Sequence, residues 1–267
     1  MRSIKLLCLP ALLATTIANA GASLDQWDYS SHGERYWRSH FPACQGMQQS
    51  PINISTKRAL KHPKAFPSLK PGPVLDFSPP AAPVHIENNG HSIQFEYRGN
   101  YSLLHRGESY QLKQFHFHHA SETTIDGKHS PLEVHFVHKS QQGHTLVIAV
   151  LLDSGRAENI LISSFKAADS SPQNGVNKSS FNPKKLLPKE KDFYYFEGSL
   201  TTPPCTEGVH WAVMKHKGLV SEQDVRYFAK FDYPANFRHT QPINGRSTYY
   251  FSDIDRSEDD IKNSSGR

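Results

Sequence analysis

Alternation of apolar and polar positions dominates the middle of the chain. Residues 91–97, 114–119 and 133–138 each alternate, and a period of two marks a strand with one buried face. Residues 146–152 instead form an unbroken apolar run, as expected for a central strand covered on both sides. Turn dipeptides punctuate these runs: Asn89-Gly90, Arg98-Gly99, Asp126-Gly127 and Gln142-Gly143. Helical patterns are few and short, at residues 158–166 and 221–231, the second with Ser221 placed to cap it. The proline-rich stretch 63–83 reads as surface coil, and no shift of composition follows it that would mark a domain boundary. One mainly β domain over residues 21–251 is expected, then a polar tail over 252–267 whose composition predicts disorder.

Residues 1–20 carry a different pattern. Arg2 and Lys5 precede an uncharged, largely apolar stretch over 6–17, and Ala18-Asn19-Ala20 supplies the small-x-small ending. Those are the three regions of a secretory signal peptide in order. The stretch is shorter than the ~20 apolar residues a membrane span needs, and no other run is long enough. The mature chain is therefore expected to be exported, periplasmic or secreted, with no membrane span. Cys8 leaves with the signal, so two of the 3 Cys remain, Cys44 and Cys205. In an oxidising compartment that even pair is open to a crosslink or to two buried free thiols.

Composition adds less. With 267 residues, 37% hydrophobic and 21% charged, the chain is an ordinary globular one, not a collagen, a coiled coil or a disordered segment. The formal charge of +5 is spread along the sequence and falls to +3 once Arg2 and Lys5 are removed. It forms no basic stripe or motif, so no nucleic-acid partner is implied. The sequons at Asn53, Asn100, Asn177 and Asn263 matter only in a glycosylating host. Histidine is the unusual count: 16, more than the 3 Cys, 3 Met and 3 Trp together.

Spacing says what some of that histidine is for. In Gln114-Phe115-His116-Phe117-His118, residues two apart share a strand face, so Gln114, His116 and His118 line one side and the phenylalanines the other. A second strand follows the Asp126-Gly127 turn, and antiparallel pairing through that connection brings His135 beside the first two. Three imidazoles without a fourth protein ligand compose a catalytic zinc site. Gln114 shares a face with His116 and Glu133 with His135, so each can accept the remaining ring N–H of its neighbour. His119 points to the opposite face and is not expected to be a ligand. A further segment, Gly198-Ser199-Leu200-Thr201-Thr202-Pro203-Pro204-Cys205, is too specific for a generic turn. Its two prolines stiffen a loop that presents both Thr hydroxyls.

Taken in order, Gln-Phe-His-Phe-His (114–118), Ser-Glu (121–122), Leu-Glu-Val-His-Phe-Val-His (132–138) and Ser-Leu-Thr-Thr-Pro-Pro-Cys (199–205) resemble the α-class carbonic anhydrases of the bacterial, exported type. Gln49-Ser50-Pro51-Ile52-Asn53, Asn88-Asn89-Gly90-His91 and Trp211 extend the resemblance from Trp27 to Arg246. It implies a central, twisted, ten-stranded and largely antiparallel sheet with a few short helices. It implies Zn²⁺ on His116, His118 and His135, and reversible hydration of CO₂ to bicarbonate and a proton by zinc-bound hydroxide. The implied partner is a small molecule; a homodimer is compatible with the family. The resemblance also implies a Cys44–Cys205 disulfide.

Roles follow from the same resemblance. Thr201 accepts a hydrogen bond from the hydroxide and donates its own hydroxyl hydrogen bond to Glu122. Thr202 helps to hold bicarbonate. Val137, Val147, Leu200, Val209 and Trp211 form an apolar wall for CO₂, and His91 shuttles protons to buffer. Two positions depart from the family pattern: Thr123 stands where His is common, which puts the support of Glu122 in doubt, and Arg238-His239 replaces Arg-Pro. Two competing readings remain, a catalytically inactive binding relative and a metal-storage protein. The intact trio argues against the first; the second requires several metals per chain.

Overall fold

The computed structural model describes residues 27–61, 77–171, 174–231 and 236–252; the proposed signal peptide and all but the first residue of the tail lie outside them. Three α-helices occur among the described residues: α1 (Glu34–His40), α2 (Ile162–Ser170) and α3 (Glu222–Phe231). The strands are β1 (Asn53–Ile54), β2 (Leu60–Lys61), β3 (Ala82–Asn88), β4 (Ile93–Tyr97), β5 (Ser102–His105), β6 (Glu108–His118) and β7 (Thr124–Ile125). They continue with β8 (Leu132–Ser140), β9 (Thr145–Gly155), β10 (Val176–Phe181), β11 (Phe193–Ser199), β12 (Glu207–Met214), β13 (Gly218–Ser221) and β14 (Tyr249–Phe251).

One large mixed sheet carries the molecule. Ten strands run in the order β10-β3-β4-β6-β8-β9-β12-β11-β14-β2, with β13 added against β9 and β5 against β6. The expected ten-stranded sheet is thus present as a continuous path with two strands attached. Most pairings are antiparallel, but β12 and β13 pair with β9 in parallel, as β14 does with β2. The apolar run 146–152 in β9 is buried throughout, as is Thr145 before it. It lies between β8 and β12, with its side chains divided between two apolar clusters. Phe95, Phe115, Phe117, Phe136, Ile148 and Val150 fill the larger one, and Val147, Ala149, Leu151, Val209 and Trp211 belong to the smaller one on the opposite face. That second face carries the polar site.

Three details differ from the sequence expectations. The second helical pattern is right, and Ser221 does cap α3 by accepting from the Asp224 N–H at 2.9 Å. The first helix begins four residues later than expected, at Ile162. The buried Asp224 carboxylate accepts from the N–H groups of Ile160, Leu161 and Ile162, so the start of α2 is set by a residue of α3. Residues 63–76 of the proline-rich stretch lie outside the described residues. Beyond them Phe77 and Pro79 are buried, and Pro83 lies in β3 beside a register shift where β10 skips from Lys178 to Phe181. Such an irregularity accommodates a residue that cannot donate. Helix α1 has no apolar periodicity to announce it; Trp37 is its one buried residue.

Candidate metal centre

Strands β6 and β8 pair antiparallel with His116 directly opposite His135. His118 lies two residues on along the same face of β6. One ligand nitrogen from each of the three rings lies within 4.8 Å of the others. Burial keeps all three imidazoles below their usual range, so they are neutral, the form that binds a cation. His119 stays out of the trio; its backbone N–H donates to Asn236 Oδ1 at 2.7 Å.

Each ring is oriented through its other nitrogen. His116 Nδ1 is 2.8 Å from Gln114 Oε1 and His135 Nε2 is 2.9 Å from Glu133 Oε1. His118 Nδ1 donates to the backbone carbonyl of Asn236 at 2.7 Å. A carbonyl only accepts, so the lone pair of His118 is on Nε2, and that buried atom has no hydrogen-bond partner among the described residues. A buried lone pair converging with two others is an orphan that a tetrahedral cation would satisfy, and three imidazoles match zinc in donor type and number. Zinc therefore fits. Glu133 is pushed up to about 6 by burial, and its Oε2 accepts from the Thr123 backbone N–H at 2.8 Å. Thr123, the first departure from the family pattern, thus supports the carboxylate behind His135.

Glu122 lies beneath the trio, fully buried, with Oε2 3.5 Å from His118 Nε2. Burial pushes its carboxyl group well above the usual range, while hydrogen bonding by the Thr201 side chain and by the Arg238 N–H, 2.9 Å from Oε1, opposes that. The Thr201 loop is clamped from several sides. Ser199 and Ser50 exchange hydrogen bonds, Ser50 N to Ser199 Oγ at 2.9 Å and Ser199 N to Ser50 Oγ at 3.1 Å. The Thr202 carbonyl accepts from the Cys205 N–H at 2.8 Å, and Cys205 is disulfide-bonded to Cys44. Gln49 donates to the Cys205 carbonyl at 3.2 Å. Val147, Val209 and Trp211, with Val137 and Leu200 packed on them, form one apolar cluster. The Trp211 ring stands edge-on to His135 at 4.9 Å, so that cluster borders the trio.

His91 follows a turn that its own sequence builds. Asn89 Oδ1 accepts from the N–H groups of His91 and Ser92, and Gly90 takes φ +84°, where a side chain would be strained. The half-buried His91 ring stacks on Trp27 at 3.7 Å. Burial lowers its proton affinity, with Asp28 acting the other way.

Two residues escaped the sequence reading. Asn236 holds His118 through its carbonyl and reaches the His91 and Phe117 carbonyls through its amide, each at 3.0 Å. Arg238 is buried, donating to Gln49 Oε1 and the Ser50 carbonyl while its N–H holds Glu122. The second family departure is explained next to it: the His239 N–H donates to Glu34 Oε1 at 2.7 Å, a bond that proline could not make. Neither Asn236 nor Arg238 sits in a periodic segment, so spacing could not have flagged them.

Comparison with known proteins places these features in context. The family model for eukaryotic-type carbonic anhydrase matches residues 32–252. The chain is 36% identical over 253 residues to a carbonic anhydrase from Neisseria gonorrhoeae, covering 92% of this chain and 96% of that relative. It is 34% identical to a carbonic anhydrase from Pectobacterium atrosepticum, covering 88% and 96%. Among solved structures, the α-carbonic anhydrase of Photobacterium profundum superposes with a TM-score of 0.73 at 35% identity, covering 84% of this chain and 100% of that one.

Proposed function

The chain belongs to the eukaryotic-type carbonic anhydrase family of enzymes, and from that premise we propose that it holds one zinc ion on His116, His118 and His135 to interconvert CO₂ and bicarbonate. The observation that carries this reading is the convergence of three neutral imidazole nitrogens within 4.8 Å, each ring anchored through its other nitrogen. When bound, zinc supplies Lewis acidity that lowers the pKa of water to about 7, an effect for which carbonic anhydrase is itself the standard example. Thr201 donates a hydrogen bond from its hydroxyl to Glu122, which leaves its oxygen to accept from the attacking O–H and so to aim it. The backbone N–H of Arg238 fixes the carboxyl group that makes this possible. Val137, Val147, Leu200, Val209 and Trp211 offer CO₂ an apolar surface, and Thr202 lies on the same loop to receive bicarbonate. His91, an imidazole whose proton affinity burial lowers and Asp28 raises, carries the released proton toward solvent.

The Cys44–Cys205 bond supports export, because disulfides persist in oxidising compartments; no helix of the described residues is long and apolar enough to cross a membrane. The three intact ligands speak against an inactive binding relative. Zinc content and CO₂ hydration of the mature protein test the function together. One zinc per chain with rapid hydration is expected; one zinc with hydration no faster than buffer would refute the enzyme.

A further inference from the structure

Asn236 and Ser92 make contacts that holding a metal ligand does not require. The ladder between β4 and β6 ends at the Gln94–His116 pair. One residue further along β6 stands Phe117, fully buried and past the end of that ladder. Buried backbone groups need partners, and here side chains provide them. The Ser92 hydroxyl donates to the Phe117 carbonyl at 2.5 Å and accepts from its N–H at 3.3 Å. The Asn236 amide donates to the same carbonyl at 3.0 Å, so both of its lone pairs are used.

The orientation of the Asn236 amide follows from its neighbours. The His119 backbone N–H can only donate, so the atom 2.7 Å from it is the amide oxygen. That leaves the NH₂ group for the Phe117 and His91 carbonyls, which can only accept. One acceptor and two donors is the donor set of asparagine; serine, alanine and aspartate each lack part of it. His91 is thus held at both backbone groups by asparagine side chains, its N–H by Asn89 and its carbonyl by Asn236.

We propose that Asn236 and Ser92 are positioning residues for proton release: they fasten the turn that carries His91 to Phe117, between His116 and His118, and so fix its distance from the metal centre. This rests on the reading of His91 as the relay. Neither residue touches the reacting atoms. A relay works only within hydrogen-bond reach or through intervening water, so moving the turn by about 1 Å slows it. Proton release follows the conversion of CO₂, so a misplaced relay lowers kcat and spares kcat/KM. A defect in the metal centre lowers both.

The test compares Ser92→Ala, Ser92→Thr and Asn236→Ser, each with its zinc content confirmed, beside His91→Ala. In weak buffer Ser92→Ala and Asn236→Ser should lower kcat by about 3–10-fold, and added imidazole should restore it. In Ser92→Ala, kcat/KM should stay within about twofold of wild type. Ser92→Thr, which keeps the hydroxyl, should turn over like wild type. In metal-free protein the Phe117 amide should exchange with solvent at least about tenfold faster in Ser92→Ala, since its acceptor is gone. Wild-type kcat in both Ser92→Ala and Asn236→Ser, with His91→Ala slow and rescued by imidazole, would overturn this proposal and leave the relay standing. Equal losses of kcat and kcat/KM that imidazole does not relieve would also overturn it, by assigning both residues to the metal centre. A His91→Ala enzyme as fast as wild type would remove the relay itself, and the proposal with it. Should Asn236→Ser fail to fold, Ser92→Ala carries the test.

Discussion

Each imidazole of the metal centre keeps one nitrogen for a cation because the other is already committed, and that division is testable residue by residue. Glu133→Ala removes the acceptor behind His135 Nε2. It should weaken zinc affinity by about 10–100-fold, measured by competition with a chelator; unchanged affinity would mean that packing alone orients the ring. Thr201→Ala removes the hydroxyl that we propose links the attacking oxygen to Glu122 and should lower kcat/KM about 100-fold in stopped-flow hydration. A rate within twofold of wild type would deprive Thr201 of that role. His91→Ala should slow turnover in weak buffer and recover with added imidazole, whereas equal turnover would assign the proton to another group. The three-histidine cluster was legible in the sequence because a strand converts a spacing of two into one face. Asn236 and Arg238 were not, since what they hold lies more than a hundred residues away and only the closed chain brings them together.

Strands were easier to read than helices for a physical reason. A strand of this sheet alternates because one face packs and the other does not, and β9 is unbroken because both faces pack. The start of α2 is dictated by a carboxylate from α3, which no local pattern contains. The loop that carries Thr201 shows the same dependence. A Cβ on Gly198 would stand 2.1 Å from Ser50 Oγ and 3.0 Å from Trp211 Cδ1, so only glycine allows β11 to approach the Ser50 segment closely enough for the Ser50–Ser199 exchange. Gly198→Ala should therefore cost about 1–3 kcal/mol of stability through overpacking. It should also reduce CO₂ hydration, because the clamp on the Thr201 loop opens. Wild-type melting and wild-type rate in that variant would show that the loop is held without this approach.

On the scale of the whole molecule, net charge explains nothing about the site, and the buried histidines and the crosslink set its response to conditions. His105 and His138 are held at about 3 and about 4 in the folded chain, against 6.5 when free, by burial. Below 6.5 the unfolded chain binds more protons than the folded one, so stability falls as pH drops through that window. His105→Phe should flatten the decline between about pH 6 and 4 in denaturant titrations; a slope equal to wild type would locate the acid lability elsewhere. The crosslink acts on the unfolded chain. Cys44 and Cys205 are 161 residues apart, and closing so long a loop is worth about 4–5 kcal/mol in the chain-entropy model. For a protein of this size that is a fall in melting temperature of about 10–20 °C on complete reduction. Activity at 25 °C should suffer less, because Ser50, Ser199 and Gln49 hold the Thr201 loop without the sulfurs. A melting point unchanged after both thiols are shown to be alkylated would remove the bond's structural role. Loss of activity well below the melting transition would instead make the bond part of what positions Thr201.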